Sequence, residues 1–152
     1  NNAIEALQDF LNTYPESSYA PKATVAIRDL RAKLEMKSFE VAKLYQKLRR
    51  YKSAVIAYNT FRQSYPDSQY KEEALFNRIE SQYELDKLSI PSMKKQRYRE
   101  LCEFYIKFID RHPESTYLRN AESFYNTAQK RLADLAEADA AAAAAKAKKQ
   151  DK

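Results

Sequence analysis

Apolar positions along the chain recur at helical spacing. Ala54, Tyr58 and Phe61 fall at i, i+4 and i+7, as do Leu101, Tyr105 and Phe108, and likewise Ala3, Leu7 and Phe10. Each set places one apolar stripe on one face of a helix, with polar and charged residues around the rest, so three equivalent amphipathic helices are predicted. Each stripe ends on the same punctuation. Residues 10–23, 61–74 and 108–121 share the pattern F-x3-[YH]-P-[ED]-S-x-Y-x3-A, which places corners at 14–18, 65–69 and 112–116. Pro15, Pro66 and Pro113 cannot continue a helix and push the preceding residue toward extended geometry, so each helix stops there. Ser17, Ser68 and Ser115 follow two residues later as N-caps of the next helix. Pro21 disturbs the first corner, where the turn is tight or the cap shifts to Ser18.

Self-similarity at this scale is the mark of a repeat protein. Against the 34-residue tetratricopeptide pattern, Tyr19, Tyr70 and Tyr117 take the early aromatic place and Ala23, Ala74 and Ala121 the small place of the first helix, with Pro closing the repeat. Counting back from Pro66 puts Ala42 at a small position, Tyr45 at the aromatic, Ala54 at the second small and Tyr58 at the second aromatic position. The predicted packing set is therefore Phe10, Tyr19, Ala23, Ala42, Tyr45, Ala54, Tyr58, Phe61, Tyr70, Ala74, Tyr105, Phe108, Tyr117 and Ala121. The fold class is all-α: a tetratricopeptide-like solenoid of helical hairpins, about three repeats and six helices over residues 1–135.

The spacing is irregular. Pro15 to Pro66 is 51 residues and Pro66 to Pro113 is 47. Between Lys22 and Tyr65 there is neither Gly nor Pro, so the first excess lengthens one helix, from about Ser18 to about Leu48, with a break expected near Lys37-Ser38. The second excess goes partly into the Leu88–Ser92 connection, where Pro91 marks a fresh helix start. Residues 136–152 form an Ala- and Lys-rich tail, with six consecutive Ala at 140–145. Such a segment is marginal as a helix and has no apolar face to dock.

Composition narrows the function classes. The chain has 152 residues, no Gly, five Pro, one Cys and one His. Without Gly, hairpin turns, P-loops and dinucleotide-binding turns are all disfavoured. One cysteine and one histidine leave no room for a disulfide, a zinc site or most acid-base designs. The pairs Glu72-Glu73 and Asp134/Glu137 have no partnered nucleophile, so no catalytic residue, cofactor or metal is expected. No apolar run is long enough to span a membrane. The chain opens without Met on residues that read as mid-helix, which suggests a piece of a longer protein.

Phe39-Glu-Val-Ala42-Lys-Leu-Tyr45, then Arg50-Tyr51-Lys-Ser-Ala54-Val55-Ile56-Ala-Tyr58, then Tyr65-Pro66-Asp67-Ser68 resemble the BamD family, the tetratricopeptide lipoprotein of the bacterial β-barrel assembly machinery. The long segment Tyr19 to Tyr45 shares that family's unusual helix length, and the resemblance covers about residues 1–135. Leu48-Arg49 stand where members often have a Gly in the interhelical turn, and the segment Pro91 to Leu135 adds a repeat that shorter members lack. The resemblance implies a non-enzymatic scaffold on the periplasmic face of the outer membrane. Its partners would be the periplasmic POTRA region of the barrel subunit, docked by the C-terminal repeats, and other assembly lipoproteins. Members carry a lipidated N-terminal Cys and earlier repeats, neither present here, so membrane contact would come only through that anchor. Two alternatives stay open: another periplasmic tetratricopeptide coordinator of envelope processes, and a generic protein-interaction adaptor.

The candidate binding residues are basic. Lys47, Arg49, Arg50 and Lys52 cluster at one predicted corner, and Lys94, Lys95, Arg97 and Arg99 at the start of the next long helix. With a net charge of +6, such clusters suit an acidic protein edge. No nucleic-acid reading motif accompanies them, so nucleic acid is not an expected partner. A carboxylate clamp is also not expected, because Leu75 follows Lys71 on the face where one would sit. Lys146, Lys148 and Lys149 read as a solubilising end, with contact to anionic lipid heads as the lesser reading. His112, in place of Tyr at its corner, reads as a helix C-terminal residue, and Cys102 as a small buried thiol.

Overall fold

The structure, a computed structural model, describes residues 2–150, with side chains to residue 145. Six α-helices follow one another: α1 (Asn2–Thr13), α2 (Ala20–Lys47), α3 (Tyr51–Ser64), α4 (Lys71–Lys87), α5 (Pro91–Ile109) and α6 (Leu118–Gln150). Sequential helices pack side by side, α4 also touches α6, and α2 touches α4. This is the tetratricopeptide-like stack of hairpins read from the repeats. The second and third Pro-containing corners lie on one edge, the α2–α3 and α4–α5 turns lie on the opposite edge, and the first corner stands apart at the start of α2, about half that helix's length from the second.

The corners share one geometry, but the expected serine N-caps are corrected: Tyr19 and Tyr70 hold the N-cap places of α2 and α4 without a side-chain bond, and the serines act one turn earlier. Ser17, Ser68 and Ser115 Oγ accept the N–H of Tyr19, Tyr70 and Tyr117 at 3.2, 3.0 and 3.1 Å. A further turn then forms through the N–H of Ala20, Lys71 and Leu118 to the same three serine carbonyls, and the α-helix begins there. Pro21 falls in the first turn of α2, where no N–H is required. The first corner therefore keeps the same Ser17 bond as the other two in spite of Pro21.

The α2 helix runs unbroken for 28 residues, about 42 Å, and the break expected near Lys37 is absent. Its N-terminal half carries α1 and its C-terminal half pairs with α3. Phe39 and Ala42 face Ala54, Tyr58, Phe61 and Ala74 in one core cluster. A second cluster joins Leu75, Phe76 and Ile79 of α4 to Tyr98, Leu101, Tyr105 and Phe108 of α5 and to Ala121 and Ala128 of α6. The α4 helix thus feeds both cores, which explains why it buries polar Arg78, Ser81, Gln82 and Asp86 as well as apolar residues.

Successive corners are clasped by one repeated contact. Ser68 Oγ donates to Glu35 Oε1 at 2.5 Å, and Ser115 Oγ donates to Glu72 Oε1 at 2.6 Å. One turn further along each acceptor helix, Phe39 stacks on Tyr70 and Phe76 on Tyr117, with centroids 4.8 and 4.7 Å apart. The rule is that E-x3-F on one helix grips S-x-Y of the next corner. In α6 the matching places hold Arg119 and Ser123, so the pattern ends there.

Two expected packing residues, Tyr19 and Tyr45, are corrected. Tyr19 is 63% exposed, because among the described residues no E-x3-F helix lies against its corner. Tyr45 is 39% exposed, since Phe39, Ala42 and Gln46 take the side of α2 that faces α3 and leave Tyr45 about a quarter turn away. Phe10 is only half-buried, against Tyr14, because α1 is covered on the α2 side alone. The remaining residues of the set are buried or half-buried. The expected tail continues α6 as helix to Gln150; residues 136–145 are exposed, and Asp139 pairs with Lys95 at 2.8 Å. Residues 151 and 152, and the side chains of Lys146, Lys148 and Lys149, lie outside the described ones.

Candidate docking surface

The two basic clusters flank separate turns: α5, which carries the second, packs on α4 and α6 and not on α2 or α3. Lys47 ends α2, Arg49 and Arg50 form the turn, and Lys52 opens α3; all four are exposed. The turn is a Schellman motif, with Arg49 N–H to Gln46 O and Arg50 N–H to Tyr45 O, both 2.9 Å. Arg49 holds φ at 57°, the left-handed geometry that glycine adopts without penalty. The position noted as a family glycine site thus has the backbone of one, and an arginine occupies it.

The α4–α5 turn is on the same side of the stack, with Lys87 at the end of α4 lying over the Tyr83 ring. A hydrogen bond from Gln46 Nε2 to Glu80 Oε2, 2.6 Å, braces the two helices beneath. In the second cluster Arg99 is exposed and Lys94 half-buried. Arg97 departs from the expectation of a free cation. Its guanidinium donates to Ser89 Oγ, its carbonyl accepts from Gln82 Nε2 at 3.3 Å, and its charge faces Asp86. Arg97 therefore pins the α4–α5 turn.

The sequence reading missed the apolar half of this edge. Leu48 in one turn and Leu88 and Ile90 in the other are 59, 72 and 64% exposed. From Leu48 an exposed stripe runs back along α2 through Tyr45, Leu44 and Val41, at i, i+3, i+4 and i+7 counted from Val41. Large apolar residues placed in turns were the available signal. An apolar strip rimmed by cations is the composition of a protein interface, in which arginine and aliphatic anchors share the contact.

Other candidate chemistry is not assembled. Among the described residues no cluster of His, Cys, Asp and Glu could hold a metal, and no helix is long and apolar enough to cross a membrane. Cys102 is buried, and burial raises its thiol pKa. His112 Nδ1 lies 3.8 Å from Glu72 and its ring tilts on Phe108.

A family model described as outer membrane lipoprotein, YfiO, matches residues 1–101. The chain belongs to this family. The match ends inside α5, so the rest of that helix and α6 lie beyond it, short of the 1–135 that the motifs suggested. Both turns of the docking edge lie within it, as do the first two corners. No curated protein matches the chain. Family membership associates the protein with the outer membrane and with the work of envelope lipoproteins.

Proposed function

We propose that this YfiO-family protein is a non-enzymatic scaffold of the BamD kind, docking the periplasmic POTRA region of a barrel-assembly subunit through the edge formed by the α2–α3 and α4–α5 turns. It acts on the periplasmic face of the outer membrane, beside other assembly lipoproteins. The observation that carries this reading is the exposure of Leu48, Leu88 and Ile90 on one edge beside Lys47, Arg49, Arg50 and Lys52. Exposed apolar side chains supply the buried centre of a contact, and the surrounding cations supply orientation and rate against an acidic partner. Binding uses surface alone, with no covalent step.

Co-purification with the POTRA region tests it. Leu48→Ser combined with Leu88→Ser abolishes capture, and Arg49→Glu with Arg50→Glu weakens it in a salt-dependent way. Arg97 is unsuitable for reversal because it holds the turn; Arg99→Glu replaces it. Failure of a folded chain to bind, or binding indifferent to all these changes, overturns the reading in favour of an envelope coordinator or a generic adaptor.

A further inference from the structure

On the opposite edge, between the second and third corners, lies a cavity of about 490 Å³ lined by Arg62, Pro66, Lys71, Leu75, Arg111 and His112. Arg78, 3% exposed, stands close to these cations on α4. Its guanidinium carbon sits 3.9 Å from the centre of the Phe104 ring. Asn59 Oδ1 accepts from both Arg62 Nη2 and Arg78 Nη1 at 3.2 Å. Among the described residues no carboxylate lies within ion-pair distance of Arg62, Lys71, Arg78 or Arg111. Glu72 lies 3.8 Å from His112 of the lining and also accepts from Ser115.

Native proteins pair buried cations with anions. Here buried Arg78 and half-buried Arg62 share a single neutral acceptor, with exposed Arg111 near enough for its charge to act on Arg78. The Nε atoms of Arg62 and Arg78 are both buried without a hydrogen-bond partner. Burial and the fields of Arg62 and Arg111 lower the Arg78 pKa to about 10. An incoming oxyanion in the cavity would offset this repulsion and accept from Arg62, Lys71 and Arg111, the lining cations that no carboxylate among the described residues pairs.

We propose that this cavity is an oxyanion-binding site, taking a phosphate or carboxylate group between Arg62 and Arg111, with Lys71 at the rim and Pro66 and Leu75 as its apolar walls. The site is separate from the docking edge and does not depend on it.

The test is binding of inorganic phosphate and, in a second arm, of succinate to the whole chain, at constant ionic strength set with chloride. Two readouts apply: the thermal midpoint and the NMR signal of His112, the sole histidine. Saturable binding with a shift of the His112 signal is expected. Arg62→Gln and Arg111→Gln each weaken it about tenfold or more. Arg111→Gln is no less stable than the parent in chloride, since it relieves repulsion, and this separates loss of the site from loss of the fold. Arg28→Gln, in an exposed pair with Asp29, changes nothing. Response to phosphate alone, succinate alone or both identifies the group preferred. No saturable response to either anion, or a response that survives both replacements, overturns the proposal.

Discussion

The ring of Tyr70 lies on the ring of Phe39 with planes 12° from parallel, and that stack joins the second corner to the long helix before it. Both residues also touch the Ala54–Phe61 core, so the stack is continuous with the apolar interior. Phe39 is 2% exposed. Its replacement by Ala removes a ring from the centre of the cluster and is expected to cost about 3–5 kcal/mol. A double-mutant cycle with Phe39→Leu and Tyr70→Leu, read by urea unfolding, should give a coupling of about 0.5–1.5 kcal/mol. Coupling near zero would mean that the two rings pack independently.

Arg49 is held at φ 57°. A side chain with a Cβ is strained there by about 1–2 kcal/mol, while Gly gives back part of that gain as unfolded-state entropy. Arg49→Gly should therefore be more stable than Arg49→Ala by about 1 kcal/mol in urea unfolding. Both variants lose the same charge, so the difference isolates the backbone. Equal stability would show that the turn relaxes around Ala.

Burial raises the Asp86 carboxyl to about 7; its bond from Gln82 and the field of Arg97 oppose the rise, and Glu100 adds to it. Asp86 is fully buried, and its Oδ2 has no partner. Because the folded pKa exceeds the unfolded one, the native state holds an extra proton between about pH 4 and 7. Stability therefore falls as pH rises through that window. Asp86→Asn should remove this part of the slope and be the more stable form at pH 8. Urea midpoints of both proteins at pH 5 and pH 8 provide the check, and parallel profiles would contradict it.

The tail offers the opposite expectation. Residues 136–145 are exposed, and Asp139 meets Lys95 in solvent. Ending the chain at Leu135 should lower the helical circular dichroism signal and leave the thermal midpoint within about 2 °C. A larger fall would show that the end of α6 supports the second core.

The corners were legible because their chemistry is local: Pro stops a helix, and a serine two residues on ties down the turn that leads into the next, although it is not the N-cap. The length of α2 was legible from the absence of any breaker between Lys22 and Tyr65. Periodicity identifies a face but not what covers it, and for that reason Tyr19 and Tyr45 were misplaced. Burial of α4 was hidden because Arg78, Gln82 and Asp86 read as surface residues until α3, α5 and α6 close around them. The E-x3-F partners of the corners were present as text at 35–39 and 72–76, yet their meaning depends on contacts more than 30 residues away. The same holds for the docking edge, whose two turns come to the same side only in the stack.

Among the described helices α1 touches α2 alone, so its position relative to the remaining four is set by the straightness of one rod. The point where α3 takes over lies about 20 Å from the end that carries α1, and a bend of 10° there would swing that end by about 4 Å. The groove between α1, Arg31, Glu35 and the second corner, about 660 Å³, therefore behaves as the jaw of a calliper. Its width follows the curvature of α2, and any partner seated in it would sense that curvature directly.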